Sequence, residues 1–120
     1  MKQVSVLNQT KERLLARSAE MALSLWERCR GLLGRKNLLN GSGLILKPCQ
    51  SIHTFFMAFP IDVVFADREN RVIGWQSNMR PFRISRWYRR ALWALELPAG
   101  TLTPENLEKG DLLVIRGEKE

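Results

Sequence analysis

The chain has 120 residues and a mass of 13.9 kDa, which is the size of one ordinary domain. A composition of 45% hydrophobic and 26% charged residues is typical of a globular protein and excludes wholesale disorder. Nineteen basic against twelve acidic residues give a net charge of +7, which suits an acidic partner. We therefore expect a single domain over residues 1–120 that needs no disulfide or metal for stability.

The first residues predict a cytoplasmic location. Val4–Leu7 is followed directly by polar residues, whereas a secretory signal needs about seven or more consecutive apolar residues. The most apolar window, residues 55–66, is interrupted by a proline and an aspartate and is too short to span a bilayer. We expect a cytoplasmic protein without a membrane span, in which Cys29 and Cys49 remain thiols.

The first two predicted elements precede residue 23. Val4–Leu7 is a β-prone run and is expected to be an opening edge strand. The apolar residues of the next stretch, from about residue 14 to 22, recur at a spacing that permits either a helix or a strand. The residues alone leave that choice open.

The main helix is predicted over about residues 24–33. Ser24-x-x-Glu27 is a capping-box pattern, in which the hydroxyl and the carboxylate each accept a hydrogen bond from a backbone N–H at the start of the helix. Gly31 weakens this helix, and Gly34 is the better residue to end it.

The rest of the chain is predicted to be mostly extended. The expected extended segments are Leu44–Leu46, Phe55–Met57, Ile61–Phe65 paired as a hairpin with Arg71–Trp75, Ala91–Leu97 and Leu112–Ile115. Thr103 as N-cap before Pro104 predicts a short helical turn over about residues 103–109. The fold class is therefore α+β: a β-rich domain with a small antiparallel or barrel-like sheet, one main helix and one helical turn.

Five blocks of sequence occur in a fixed order: Arg28–Arg35 (R-C-R-G-L-L-G-R), Gly43–Leu46, Ile52–Asp67, Leu95–Gly100 and Gly110–Asp111. Together they resemble the family called domain of unknown function 192 (DUF-192), also known as uncharacterised protein family 0127, over about residues 14–115. The resemblance implies a small β-rich domain with one main helix, and a strand rather than a helix over Leu14–Ala22. It implies no activity and no catalytic residue.

Two carboxylates interrupt apolar strands and need partners. Burying Asp62 or Glu96 without a partner costs several kcal/mol, so each must face water or a cation. Arg28 and Arg30 on the predicted helix are the candidate cations, and we hypothesise that Asp62 pairs with one of them. With Asp111 these residues would form a structural ion network, an interpretation favoured over a catalytic site.

An enzyme is one alternative. His53 is the only histidine and the only side chain that ordinarily titrates near neutral pH. A pocket that combined His53 with Asp62 and Glu96 as catalytic candidates would support this alternative. Cys49 and His53 have a metal-like spacing, but the chain holds only three cysteines and histidines, so we predict no metal and no cofactor.

The other alternative is an RNA- or polyanion-binding module. Residues 80–90, called the arginine segment below, account for most of the positive charge surplus and exceed the arginine content of the family pattern. Its candidate contact residues are Arg80, Arg83, Arg86, Arg89, Arg90, Trp87 and Tyr88. Arginines grip phosphates and exposed aromatic rings stack on unpaired bases, although a solvated loop is the favoured interpretation. The leading hypothesis is a domain of unknown function that binds a ligand or partner, with an anionic ligand or nucleic acid as candidates.

Overall fold

A computed structural model describes residues 2–117 of the chain. Its elements are β1 (Gln3–Asn8), β2 (Arg13–Ala22), α1 (Leu25–Arg30), β3 (Ser42–Leu46), β4 (Ile61–Ala66), β5 (Val72–Met79), β6 (Trp93–Pro98) and β7 (Leu113–Gly117). The strands form one curled sheet in the order β5-β4-β6-β3-β2-β1-β7. Strands β2 and β3 are parallel and the other neighbours are antiparallel. The predicted β-rich α+β fold is confirmed, and no helix within the described residues is long and apolar enough to cross a membrane.

The two edge strands of the curled sheet approach each other at one end. Arg71, just before β5, bridges Leu112, just before β7, and the Leu113 N–H donates to the Asn70 carbonyl at 2.9 Å. The sheet is therefore a half-barrel that begins to close at this corner. Strand β1 lies between β2 and β7, so the prediction that Val4–Leu7 is an edge strand is wrong. The last strand of the chain returns to cover that edge.

Both faces of the central strands are buried, because successive side chains of a strand point to opposite faces. On β6, Trp93, Leu95 and Leu97 belong to one hydrophobic cluster, called the first core. Ala94 belongs to a cluster on the opposite face, called the second core. The second core is covered by Leu32, which follows α1, and by Ile52 and Met57 of the loop between β3 and β4. Each core thus excludes water from one face of the same sheet.

The capping box at the start of α1 is confirmed, but the helix is shorter than predicted. The Ser24 hydroxyl accepts from the Glu27 N–H at 3.0 Å, and the Glu27 carboxylate accepts from the Ser24 N–H at 3.3 Å. Gly31 ends the helix with a φ of +49°, a backbone conformation that glycine adopts at little cost. The prediction that Gly34 ends the helix is therefore wrong.

One further local prediction is wrong. Residues 55–57 are not extended: Phe56 has a φ of +62° and the Met57 N–H donates to the Thr54 carbonyl at 3.2 Å, which makes a turn. The predicted short helical turn within residues 103–109 is confirmed, because the Leu107 N–H donates to the Thr103 carbonyl at 3.1 Å. Residues 13–22 form a strand, as the family resemblance implied.

Asp62 does not pair with Arg28 or Arg30, and that hypothesis is wrong. Its side chain is fully buried; Oδ1 accepts from the Asn78 N–H and Oδ2 from the Leu102 N–H, each at 2.8 Å. The reason is the pleat of the sheet. Asp62 stands opposite Leu97 and shares the face of the first core, whereas α1 lies over the second core.

Asp111 belongs to a third, separate group of contacts. Its Oδ2 accepts from the Asn8 side-chain amide at 2.8 Å and from the Glu108 N–H at 2.9 Å, and the Lys11 Nζ lies 3.9 Å away. Arg30 is exposed and is within salt-bridge distance of no carboxylate in residues 2–117. The predicted ion network of Arg28, Arg30, Asp62, Glu96 and Asp111 is therefore not formed.

We expect Asp62→Asn to destabilise the fold. One backbone N–H would then face an amide NH2 rather than a carboxylate oxygen, and a buried donor without an acceptor costs about 1–3 kcal/mol. Urea unfolding should show a free energy of unfolding lower by roughly 1–3 kcal/mol. Glu69→Gln, at an exposed turn, is the matched control and should change it by less than about 0.5 kcal/mol. Equal stability of both variants would show that the two hydrogen bonds of Asp62 contribute nothing.

Candidate functional site

A cavity of about 990 Å³ lies over the second core. It is bounded by α1 and the residues that follow it, by the loop between β3 and β4, and by the end of the arginine segment. Apolar side chains that form its walls include Leu25, Leu33, Leu46, Met57 and Trp87. Its volume is at the upper end of the range of small-molecule pockets, roughly 300–1,000 Å³.

Glu96 presents a carboxyl group to this cavity from strand β6. It stands between Leu44 of β3 and Val63 of β4, and it is only 3% exposed. Its Oε1 atom is buried and has no hydrogen-bond partner in the described part of the chain. Burial raises the pKa of Glu96 to about 8, against a smaller opposing effect of the Arg35 charge. The carboxyl group is therefore mostly protonated at neutral pH.

Arg28 reaches the same cavity from α1. Its Nη1 donates to the Pro48 carbonyl at 3.2 Å, while its Nε is buried and has no acceptor among residues 2–117. No Arg28 nitrogen comes within 4.0 Å of the Glu96 carboxyl in the structure as described. Two residues of the cavity lining, one on the helix and one on the sheet, thus each have a buried polar atom, and these two atoms do not satisfy each other.

Cys49 lines the cavity near these two residues as a thiol. Its Sγ donates to the Ser51 carbonyl at 3.2 Å, and burial raises its pKa to about 11. The Glu96 carboxylate, when charged, raises this pKa further and the Arg28 charge lowers it. A thiol that stays protonated is a poor nucleophile and metal ligand. Both cysteines are free, as predicted.

His53 lies in an exposed part of the cavity lining. Its Nδ1 accepts from the Phe55 N–H at 3.2 Å, and its ring stacks on that of Phe55 with centroids 5.1 Å apart. His53 and Glu96 therefore share a cavity, but Asp62 lies on the other face of the sheet. The predicted catalytic group of three residues is not brought together. Within residues 2–117 no cluster of three or more histidine, cysteine or acidic residues is placed to hold a metal ion.

The arginine segment passes the mouth of the cavity, and its five arginines are all exposed. Trp87 is also 70% exposed, as a stacking surface would need to be. Tyr88 is different, because its ring stacks on that of Phe65 in the second core with ring centroids 4.2 Å apart. The same ring also occupies the space over Gly74 in which a side chain at that position would lie. Tyr88 therefore anchors the segment, and its predicted role as a platform for a base does not fit this packing.

The sequence pointed to Arg28 and Glu96 but gave them the wrong role. It also missed the apolar wall of the cavity, including Leu25 and Trp87, which are 69% and 70% exposed. The available signal in the sequence was a large apolar residue, Leu25, directly after the capping residue Ser24. This signal indicates a cavity wall only once the fold is known, because the fold brings β6, α1 and the arginine segment together.

The fold and the sequence together define the class of protein. Residues 6–115 match the family model DUF192, described as "Uncharacterized ACR, COG1430", and the chain belongs to this family. It is 32% identical over 113 residues to a UPF0127 protein of Thermococcus gammatolerans, covering 90% of this chain and 72% of that protein. It is 29% identical over 113 residues to UPF0127 protein TK1120 of Thermococcus kodakarensis, covering 90% of this chain and 71% of that protein.

A solved structure has the same fold. A protein of unknown function from Novosphingobium aromaticivorans superposes with a TM-score of 0.78 at 22% identity, covering 93% of this chain and 83% of that one. The family is one of unknown function, and these comparisons bring no activity with them. The chemistry of the cavity is therefore the main guide to function.

We expect the stability of the protein to fall as the pH rises from about 4.5, the ordinary pKa of a glutamate, to about 8. In this window the unfolded chain has lost the Glu96 proton and the folded chain has kept it. The free energy of unfolding should decrease by up to about 1.4 kcal/mol per pH unit from this group. Urea unfolding at a series of pH values should show this slope in the natural sequence and its loss in Glu96→Gln. Glu105→Gln, which is exposed, should retain it; a slope that survives Glu96→Gln would contradict the assignment.

Proposed function

We propose that this protein binds a small amphipathic anion in the cavity between α1 and the sheet. One observation carries the proposal: Glu96 and Arg28 both line the cavity, and each has a buried polar atom, Glu96 Oε1 and Arg28 Nε, without a partner in the described residues. Buried polar groups are almost always hydrogen-bonded, and each one without a partner costs about 1–3 kcal/mol. A ligand that bonds to both atoms would recover this cost.

The charge around the cavity supports an anion over a cation. Five arginines and three acidic residues line it: Arg28, Arg30, Arg68, Arg89, Arg90, Asp67, Glu69 and Glu96. Because Glu96 is mostly protonated at neutral pH, the balance is more positive than the residue count. A cleft lined by one sign of charge concentrates ligands of the opposite sign.

The walls of the cavity support an apolar body on that anion. Leu25 and Trp87 expose most of their surface beside the cavity, and Leu33 and Met57 continue the apolar surface inward. Burying such side chains against a ligand contributes about 25 cal/mol per Å² of apolar surface removed from water. A ligand with a short hydrocarbon chain or an aromatic ring matches these walls better than a sugar or a free inorganic ion.

Calorimetric titration with six-carbon probes tests this proposal. Hexanoate and hexyl sulfate carry an anion, hexylamine carries a cation and hexanol carries no charge. We expect at least one of the two anions to bind more tightly than the cation and the alcohol. Arg28→Met should weaken the bound anion about ten-fold or more, because a charge-assisted hydrogen bond is lost. Arg13→Met, at an exposed site on β2, is the matched control and should leave the affinity unchanged.

Three results would overturn the proposal. The first is that neither hexanoate nor hexyl sulfate binds. The second is an equal affinity of the cation and the two anions, which would mean that the cavity has no charge preference. The third is an unchanged anion affinity in Arg28→Met, which would place binding elsewhere on the protein.

A second candidate function is the binding of a single-stranded nucleic acid or another polyanion by the arginine segment. Its support is that all five arginines are exposed, that none lies within salt-bridge distance of a carboxylate in residues 2–117, and that Trp87 beside them is free to stack. Phosphates and bases are the groups that such side chains bind.

Fluorescence anisotropy with a labelled oligo-uridine tests this second candidate. We expect the natural sequence to bind with an affinity that falls by roughly 0.7 log units per phosphate contact for each log unit of salt, and replacement of Arg86, Arg89 and Arg90 by alanine to abolish that binding. Replacing Arg13, Lys36 and Arg116, which are exposed elsewhere, removes the same charge and is the control. An equal loss in both triple variants, or no binding at low salt, would eliminate a localised interface.

A further inference from the structure

We infer that Glu96 keeps its proton in the ligand complex and donates a hydrogen bond to a carboxylate, so that the cavity selects apolar monocarboxylic acids. This inference rests on the proposed function and names the ligand class of the same site.

The surroundings of Glu96 leave it without a compensating cation. Its neighbours across the sheet, Leu44 and Val63, are apolar. Arg35, whose charge acts on it, is already bonded to Glu20 at 2.9 Å. Arg28 of α1 does not come within salt-bridge distance in the structure as described. A carboxyl group in this position is more stable with its proton, and the raised pKa of Glu96, about 8, agrees with this geometry.

Apart from Glu96, the titratable groups around the cavity do not offer a buried acidic proton to a ligand. The groups that face Glu96 from other elements, or share the cavity with it, are Arg28, Cys29, Arg30, Arg35, Cys49, His53, Asp67, Arg68, Glu69, Arg89 and Arg90, of which the Cys29 thiol is on an exposed residue. The Cys49 thiol already donates to the Ser51 carbonyl. His53 is exposed and accepts a backbone N–H. Glu96 is thus the buried acid that can give a hydrogen bond to a ligand here.

The site then offers two buried donors for which the described residues supply no acceptor. One donor is the protonated Glu96 carboxyl and the other is the Arg28 Nε–H. A carboxylate has two oxygens in one plane, one for each donor. A phosphate or sulfate group has at least three, and burying the additional oxygens without donors is unfavourable. The pairing of an acid with a carboxylate also gives a short, charge-assisted O–H···O⁻ hydrogen bond.

The number of protons taken up from solution on binding distinguishes a Glu96 donor from other modes of anion binding. Below the pKa of Glu96 the protein and the carboxylate combine with no net change in bound protons. Above it Glu96 is ionised, so the complex forms only when one proton is taken up from solution with each carboxylate. The affinity for a carboxylate is therefore expected to be flat near neutral pH and to fall about ten-fold per pH unit above about pH 8.

The experiment is calorimetric titration of the natural sequence with hexanoate between about pH 6.5 and pH 9.5, in pairs of buffers with different ionisation enthalpies. We expect uptake of close to one proton per hexanoate at the alkaline end and none at the neutral end. Glu96→Gln retains an N–H donor but cannot titrate, so it should bind hexanoate with no alkaline fall in affinity. Cys49→Ser and His53→Gln should keep that fall. Hexyl sulfate should bind at least ten-fold more weakly than hexanoate at neutral pH.

The outcomes separate this inference from the proposed function. If neither hexanoate nor hexyl sulfate binds, the proposed function fails and the inference fails with it. If hexanoate binds with an affinity independent of pH, or if Glu96→Gln keeps the alkaline fall, Glu96 is not the donor although the cavity still binds anions. If hexyl sulfate binds as tightly as hexanoate, the selection of carboxylates is wrong. The proton count on the natural sequence decides the question even if Glu96→Gln does not fold.

Discussion

The pleat of strands β4 and β6 is the constraint on which the rest of this structure depends. The two strands lie side by side in the middle of the sheet, and all their residues are buried. Because successive side chains point to opposite faces, any polar residue on either strand must enter one of two cores. Asp62 enters the first core and Glu96 enters the second. A shift of one residue in the pairing would turn the side chains of one strand over and bring both carboxyl groups to the same face of the sheet.

The two buried carboxyl groups then meet very different surroundings. Asp62 lies where two backbone N–H groups, those of Asn78 and Leu102, converge on it, so its oxygens are satisfied by the chain itself. Glu96 lies under α1 and beside a cavity, where Oε1 finds no donor or acceptor within the described residues. A structure that satisfies one buried acid and leaves another unsatisfied beside an open cavity has the features expected of a binding site.

Features of the fold that depend on residues close in sequence could be predicted. Features that depend on how distant strands pair could not. The capping box of Ser24 and Glu27 and the hairpin of β4 and β5 depend on nearby residues, and both are confirmed. The strand over residues 13–22 came from the family resemblance, since its apolar spacing suited two structures. The partner of Asp62 was not predictable, because it depends on which face of the sheet each strand presents. The edge prediction for β1 failed for a similar reason: the strand that covers it is about a hundred residues away.

In the site, as in the fold, individual residues could be identified from the sequence, but the way in which strand pairing brings them together could not. Arg28 and Glu96 were visible as charges that needed partners, but a cavity between them was not. It exists because Gly31 ends α1 early and because Tyr88 holds the arginine segment against Phe65. That anchor places Arg89 and Arg90 at the cavity lining. Two of the five arginines of the segment are thereby placed at the cavity. In the proposed function, the arginines of the segment would attract an anion by long-range charge, whereas Arg28 and Glu96 would distinguish among anions by short-range hydrogen bonds.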